Sequence, residues 1–224
     1  MRRRTQRKES NKKIMAVIVF ALIVAFLVAA GTIAWLTRTS SVSNTFTVGS
    51  FESPVTDPKD STKSINIDGN IYEPSWDASA THKLIPSATF VKDPYIGIGA
   101  GSEDAVVYAY VENNFSNKVY FTINEGWEAV QATAGSQNGT YTSGLFKYTA
   151  GLTAKTDGDS WTTTPLFSSV ATDEAATLTD FTPATGKDYE IKVSSFLHQA
   201  KDNDGEAIPD ATILAAAKSA FGLN

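Results

Sequence analysis

Seven basic residues, Arg2, Arg3, Arg4, Arg7, Lys8, Lys12 and Lys13, precede an uncharged apolar run of 17 residues, "IMAVIVFALIVAFLVAA", Ile14 to Ala30. Nothing else in the chain restricts its fate as much. A water-soluble domain has no use for so many consecutive branched and aromatic side chains, whereas an export signal or membrane anchor requires them behind a positive start. The run is longer than the roughly 7–15 residues of a signal core and shorter than the roughly 20 of a spanning helix. Thr32 and Ala34 put small side chains at the −3 and −1 positions of a cut between Ala34 and Trp35. Residues 1–34 are therefore expected to be a signal peptide, or a membrane anchor if the cut is not made. Either way Trp35 onward lies outside the cytoplasm, and the membrane is met only through the leader.

Charge supports this division. Of 19 basic and 24 acidic side chains, seven and one precede residue 35, which leaves the remainder at −11. A body that acidic repels phosphates, which sets nucleic acid aside as a partner. The chain has no cysteine, which closes disulfide, zinc-thiolate and cysteine-nucleophile chemistry. The exported part must then be held by its core alone, and about 190 residues suffice for one domain.

After Leu36 the composition turns to Ser, Thr, Val, Tyr and Phe with frequent turn residues, the pattern of an all-β sandwich. "SVSNTFTV" alternates, with Val42, Phe46 and Val48 on one face, and Gly49 permits a bulge before Phe51. "KSINIDGNIY" carries the hairpin signal Asp68-Gly69 between Ile67 and Ile71. "AVVYAYVEN", Ala105–Asn113, is apolar on both faces, as a central strand would be, and a hairpin is expected to join it to "NKVYFTIN". Between residues 126 and 163 the pattern weakens to short strands around Tyr141 and from Leu145 to Tyr148. "PLFSSV" and "TLTDF" read as edge pieces, and "DYEIKVSSFLHQA" as a late strand with Tyr189, Ile191, Val193 and Leu197 on one face. "PDATILAAAKSAFG" is the one helix expected outside the leader, with Pro209 in its first turn, Gly222 past its end, and Ile213, Leu214, Ala217 and Phe221 on one face.

No constellation argues for catalysis. "GIGAGSEDA" resembles a dinucleotide loop but precedes a strand, so it reads as a turn. His82 and His198 are the only histidines, with no HExxH, so they read as structural. Asp202, Asp204, Glu206 and Asp210 could offer calcium a weak site, but lack the full EF-hand spacing and read more simply as a solvated turn. Trp35, Trp76, Trp127 and Trp161 share no local spacing, which argues for core aromatics over a carbohydrate platform. No catalytic, cofactor or metal residue is assigned.

The leader with "GTIAWLTRTSSVSNTFTVGSFE" resembles the export region of the TasA/camelysin family of Gram-positive bacteria, through Gly31, Thr32, Ala34, Trp35, Asn44, Thr45, Phe46, Thr47, Val48 and Gly49. Ile33 stands where that family usually carries an aromatic. "HKLIPSATFVKDPYIGIGAGSEDAVVYAYVEN" and "IKVSSFLHQA…AAAKSAF" resemble its middle and its closing strand and helix. The resemblance implies release by a SipW-type signal peptidase, with Ala34 and Trp35 flanking the cut. It also implies a jelly-roll-like β-sandwich over residues 35–224 and a secreted or cell-surface location. Subunits would polymerise into biofilm-matrix fibres by donating the strand of residues 40–52, keyed by Val42, Phe46 and Val48, to a neighbouring copy. Two other classes stay open: a camelysin-like surface metallopeptidase and a monomeric adhesin or binding module. Pairing of 40–52 within its own sandwich also stays open.

Overall fold

The computed structural model describes residues 45–47, 51–77, 79, 82–202 and 204–224, all within the compact unit Thr39–Asn224. The apolar leader lies outside them. Among the described residues no helix is long and apolar enough to cross a membrane.

Among the described residues there are eleven strands and one α-helix, as the composition predicts for an all-β chain. The larger sheet runs β1 (Thr45–Thr47), β11 (Ile191–Gln199), β5 (Ala105–Asn113), β8 (Tyr141–Leu152), β6 (Val119–Ile123), β10 (Phe167–Thr172), β3 (Thr89–Val91), and β7 (Trp127–Ala134) pairs with β8 off this path. A smaller sheet joins β2 (Ile71–Tyr72), β4 (Tyr95–Ile98) and β9 (Ser160–Trp161). Every pairing is antiparallel except that of β1 with β11.

The double-faced apolar pattern of β5 has a direct cause. Val107, Ala109 and Val111 enter the larger core, together with Ile96 and Ile98 of the smaller sheet, Phe146 of β8, and Val193 and Leu197 of β11. The alternate residue Tyr108 joins Leu145, Phe196, Ile213 and Ala217 in a second core, against which Val106 and Tyr110 pack. That second core lies under α1 (Asp210–Ala220). Helix and strand periods thus meet on one side of β5, β8 and β11, while the alternate residues serve the core between the sheets. The helix face expected from sequence is the one observed: Ile213 and Ala217 are buried, and Phe221 stacks on Tyr110 with ring centroids 4.9 Å apart. Gly222 takes φ +66° past the helix end, where a side chain would be strained. Lys147 of β8 reaches the first helical residue, Asp210, at 2.7 Å, and this hydrogen bond raises the lysine pKa.

Several expectations are corrected. The hairpin between β5 and β6 does not form. β8 lies between them, pairing with β6 at Tyr141 and with β5 from Gly144 to Leu152. Residues 114–118 instead form a tight corner in which Asn113 receives the Phe115 N–H and donates to the Val119 carbonyl. The two short strands expected at 141 and 145–148 are one 12-residue strand, and its partner changes near Gly144, whose φ of +134° and contact with Ala132 leave no room for a β-carbon. Strand β7 was hidden by its composition: seven of its eight residues are wholly or partly exposed, so it has no apolar alternation. Ile65 and Ile67 form no strand, and Ile71 pairs with Ile96 of β4 in place of a hairpin across Asp68-Gly69. "PLFSSV" is an internal strand held by β6 and β3, and "TLTDF" contains a 3-10 turn, Leu178–Phe181.

Two consequences are measurable. Gly97 lies under the indole of Trp161, and a β-carbon there would meet ring carbons, including Cζ3 at 2.9 Å. The ring cannot easily move, because its Nε1–H donates to the Thr56 carbonyl at 3.1 Å. Gly97→Ala is expected to destabilise by about 1–3 kcal/mol, measured by urea unfolding.

The second concerns acid. The Asp180 carboxylate accepts the Thr177 N–H and hydroxyl at 2.8 Å each and the Ser116 hydroxyl at 3.0 Å, with Lys118 nearby, which lowers its pKa from 3.8 to about 2. Asp173, bonded by the Ser136 hydroxyl, the Ala175 N–H and Gln137, is also lowered. Carboxylates depressed by folding stabilise the fold above their unfolded pKa and lose that contribution as pH falls through the folded value. Stability is therefore expected to decline between about pH 4 and pH 2, and Asp180→Asn should flatten that slope in denaturation curves taken across this range.

Candidate functional site

Among the described residues, the outer edge of β11 is only partly covered. Its inner edge pairs with β5 along all nine residues, from Ile191 opposite Asn113 to Gln199 opposite Ala105. Its outer edge meets β1 over three: Thr45 opposite Phe196, Phe46 opposite Leu197, and Thr47 opposite His198. Among the described residues no strand lies along Ile191–Ser194 on that side. Unpaired edge backbone is a template for another strand.

This stretch borders a groove of about 470 Å³ lined by Ile191, Lys192 and Val193, by Ile71 and Tyr72 of the smaller sheet, and by the next residue, Glu73. Lys92 crosses it, bonded to both Glu73 carboxylate oxygens at 2.7 and 2.8 Å, with its ammonium 5.0 Å from the Trp76 ring centroid. Such a pair is less screened than a surface one, because each side chain is under one-fifth exposed.

At its Ile191 end the groove continues into a hollow of about 530 Å³ with aromatic walls. Trp76 stacks on His82 at 4.1 Å there, Phe115 faces Tyr189 at 6.3 Å, and Leu178 and Tyr189 are 82% and 73% exposed. An apolar surface so open, rimmed by Lys83 and Glu190, is the kind that marks a contact site.

The chain is firmly held just after β1. Phe51 is buried in the larger core, the Glu52 carbonyl accepts the Gly99 N–H at 2.8 Å, and the Glu52 N–H donates to Ser102 Oγ at 2.9 Å. Asp159 then takes the Val55 and Thr56 N–H groups at 2.7 Å. The last two residues of the expected donor span 40–52 are therefore held by the chain's own fold, Phe51 through the core and Glu52 through its backbone. Of the residues singled out by sequence, Phe46 lies in β1 opposite Leu197. Val42, Val48, Ala34 and Trp35 lie outside the described residues.

The other candidates do not converge. Asp202 Oδ1 accepts the N–H groups of Asp204 and Glu206 in a self-contained turn, while Asp210 pairs with Lys147, and no three metal-binding side chains gather among the described residues. His198 is buried with Nδ1 2.8 Å from the Gln199 carbonyl, and His82 lies in the hollow. Trp127 is in the core and Trp161 lies against Gly97, so among the described tryptophans only Trp76 reaches the groove region. The groove walls were not legible from local sequence, since Glu73, Lys92 and Ile191 come from three distant segments. Leu178 and Tyr189, large apolar residues within polar turns, were the available signal.

No known family, characterised protein or solved structure matches this chain. Its likeness to the TasA/camelysin family is carried by the quoted motifs alone.

Proposed function

We propose that the chain is an exported structural protein, a subunit of cell-surface or biofilm-matrix fibres, built on a jelly-roll-like sandwich and assembled by strand donation. One observation carries this reading: among the described residues, a three-residue parallel strand, placed just ahead of the fixed residue Phe51, lies along a third of the β11 edge. Parallel pairing is slightly weaker per residue than antiparallel. Exchanging it for the same strand of another copy conserves every contact, as in a domain swap. Carried on in the observed register, a donor brings Val42 opposite Val193 and Phe46 opposite Leu197, both core residues of the acceptor. Backbone hydrogen bonds supply affinity and these side chains fix register. Donation from each copy to the next is head-to-tail and does not close, so it propagates as a filament.

In this reading the leader holds the donor at the membrane until a SipW-type peptidase cuts between Ala34 and Trp35. The protein's chief partner is then itself. N-terminal sequencing of material from culture supernatant, with negative-stain imaging of the same sample, tests it. Fibres beginning at Trp35 are expected. Monomers, or chains still carrying the arginine cluster, would refute it.

A further inference from the structure

We propose that the aromatic hollow at the start of β11 seats the freed N-terminus of a neighbouring copy, with Trp35 and Leu36 inside it and Arg38 beside Asp188 and Glu190. This rests on the strand-donation reading above and adds the contact that makes cleavage the trigger.

Register gives the placement. Thr45 lies opposite Phe196 in parallel, so a donor continuing back in step brings Ser40 level with Ile191, where β11 begins. Residues 35–39 then run past that point, and five extended residues reach about 16 Å. The hollow begins there, bounded by Tyr189, Glu190 and Ile191, and shares Lys92, Glu190 and Ile191 with the groove along the strand edge. A donor lying in the groove is thereby led into it.

Chemistry matches the placement. Between the cut and Val42 the segment "WLTRTSS" has two large apolar side chains, Trp35 and Leu36, and they are its first two residues. Trp76, Phe90, Phe115, Leu178 and Tyr189 offer apolar walls of a size that encloses whole small molecules. Arg38 comes level with Tyr189, between the exposed Asp188 and Glu190, and among the described residues neither carboxylate has an ion pair. Before cleavage Trp35 and Leu36 continue the apolar leader; afterwards they are a hydrophobic chain end that gains from burial. A central aromatic anchor of this kind carries much of the energy of an interface.

The test uses the mature chain, Trp35 to Asn224, followed by light scattering and sedimentation. A tail variant, Trp35→Ser/Leu36→Ser, is compared with a hollow variant, Leu178→Asp/Tyr189→Ser, whose positions are exposed enough to leave folding intact. Each is expected to raise the concentration needed for assembly at least about tenfold. Mixed one to one, the two should stop at heterodimers, because the only intact tail meets the only intact hollow. Fibres from both variants at the wild-type threshold would overturn the seat while leaving strand donation standing. A wild-type mature chain that stays monomeric would overturn both. Lower thermal stability of each variant with no heterodimer would place the tail in its own hollow and refute the neighbour's role.

Discussion

Phe46→Asp abolishes fibre growth and leaves a folded monomer. This is the largest effect expected of any substitution outside the core. Phe46 stands opposite Leu197, a residue of the larger core, so an aspartate in its place puts a charge in register with an apolar position. Within the monomer the cost is avoidable: β1 holds β11 over three residue pairs and can simply leave the edge, since the fold is secured from Phe51 onward. In a fibre built by the proposed donation there is no such escape, because the strand would be the joint. Sedimentation should find a monomer at every concentration, and the thermal midpoint should stay within a few degrees of wild type. An unfolded variant would mean that the strand belongs to its own subunit.

Phe146→Ala gives the largest loss of stability. Phe146 is fully buried in the middle of β8, against the rings of Phe121 and Tyr141 at 5.7 and 5.5 Å. Its neighbours Leu145 and Lys147 face the other side of the sheet, toward the helix, so the void cannot be filled by a small shift of the strand. Truncating a buried phenylalanine costs about 3–5 kcal/mol. At about 2–4 °C per kcal/mol for a domain of this size, the melting temperature should fall by roughly 10 °C, read by calorimetry. A fall of only 1–2 °C would mean that the two-faced packing of β8 is looser than described.

How much of this could be read in the sequence depended on how local the physics was. The C-terminal helix was legible because its face, from Ile213 to Phe221, and its stop at Gly222 lie within one turn-by-turn pattern. The central strand β5 was legible because both its faces are buried, which demands an unbroken apolar run. β7 was not, because it lies along β8 with mostly exposed side chains and is specified by its partner rather than by its own alternation. The order of strands was not legible either. Asn113 and Val119 sit where a hairpin would be expected, yet the partner of each strand is chosen by long-range burial around β8. For the proposed joint, the sequence marked the candidate donor, "SVSNTFTV", through its alternation. It could not mark the proposed acceptor, because a strand's place at the edge of the described sheet is a property of topology, and the groove beside it is assembled from residues far apart in the chain.

The absence of cysteine makes the central claim directly testable. Thr47 lies opposite His198 across the β1–β11 pairing, at the separation of neighbouring strands, about 4.8 Å, which a disulfide can bridge. The double variant Thr47→Cys/His198→Cys, assembled and then oxidised, is run on a denaturing gel without reductant. Strand donation predicts a ladder of covalent multimers, each rung one subunit longer. A single band of internally cross-linked monomer would contradict it.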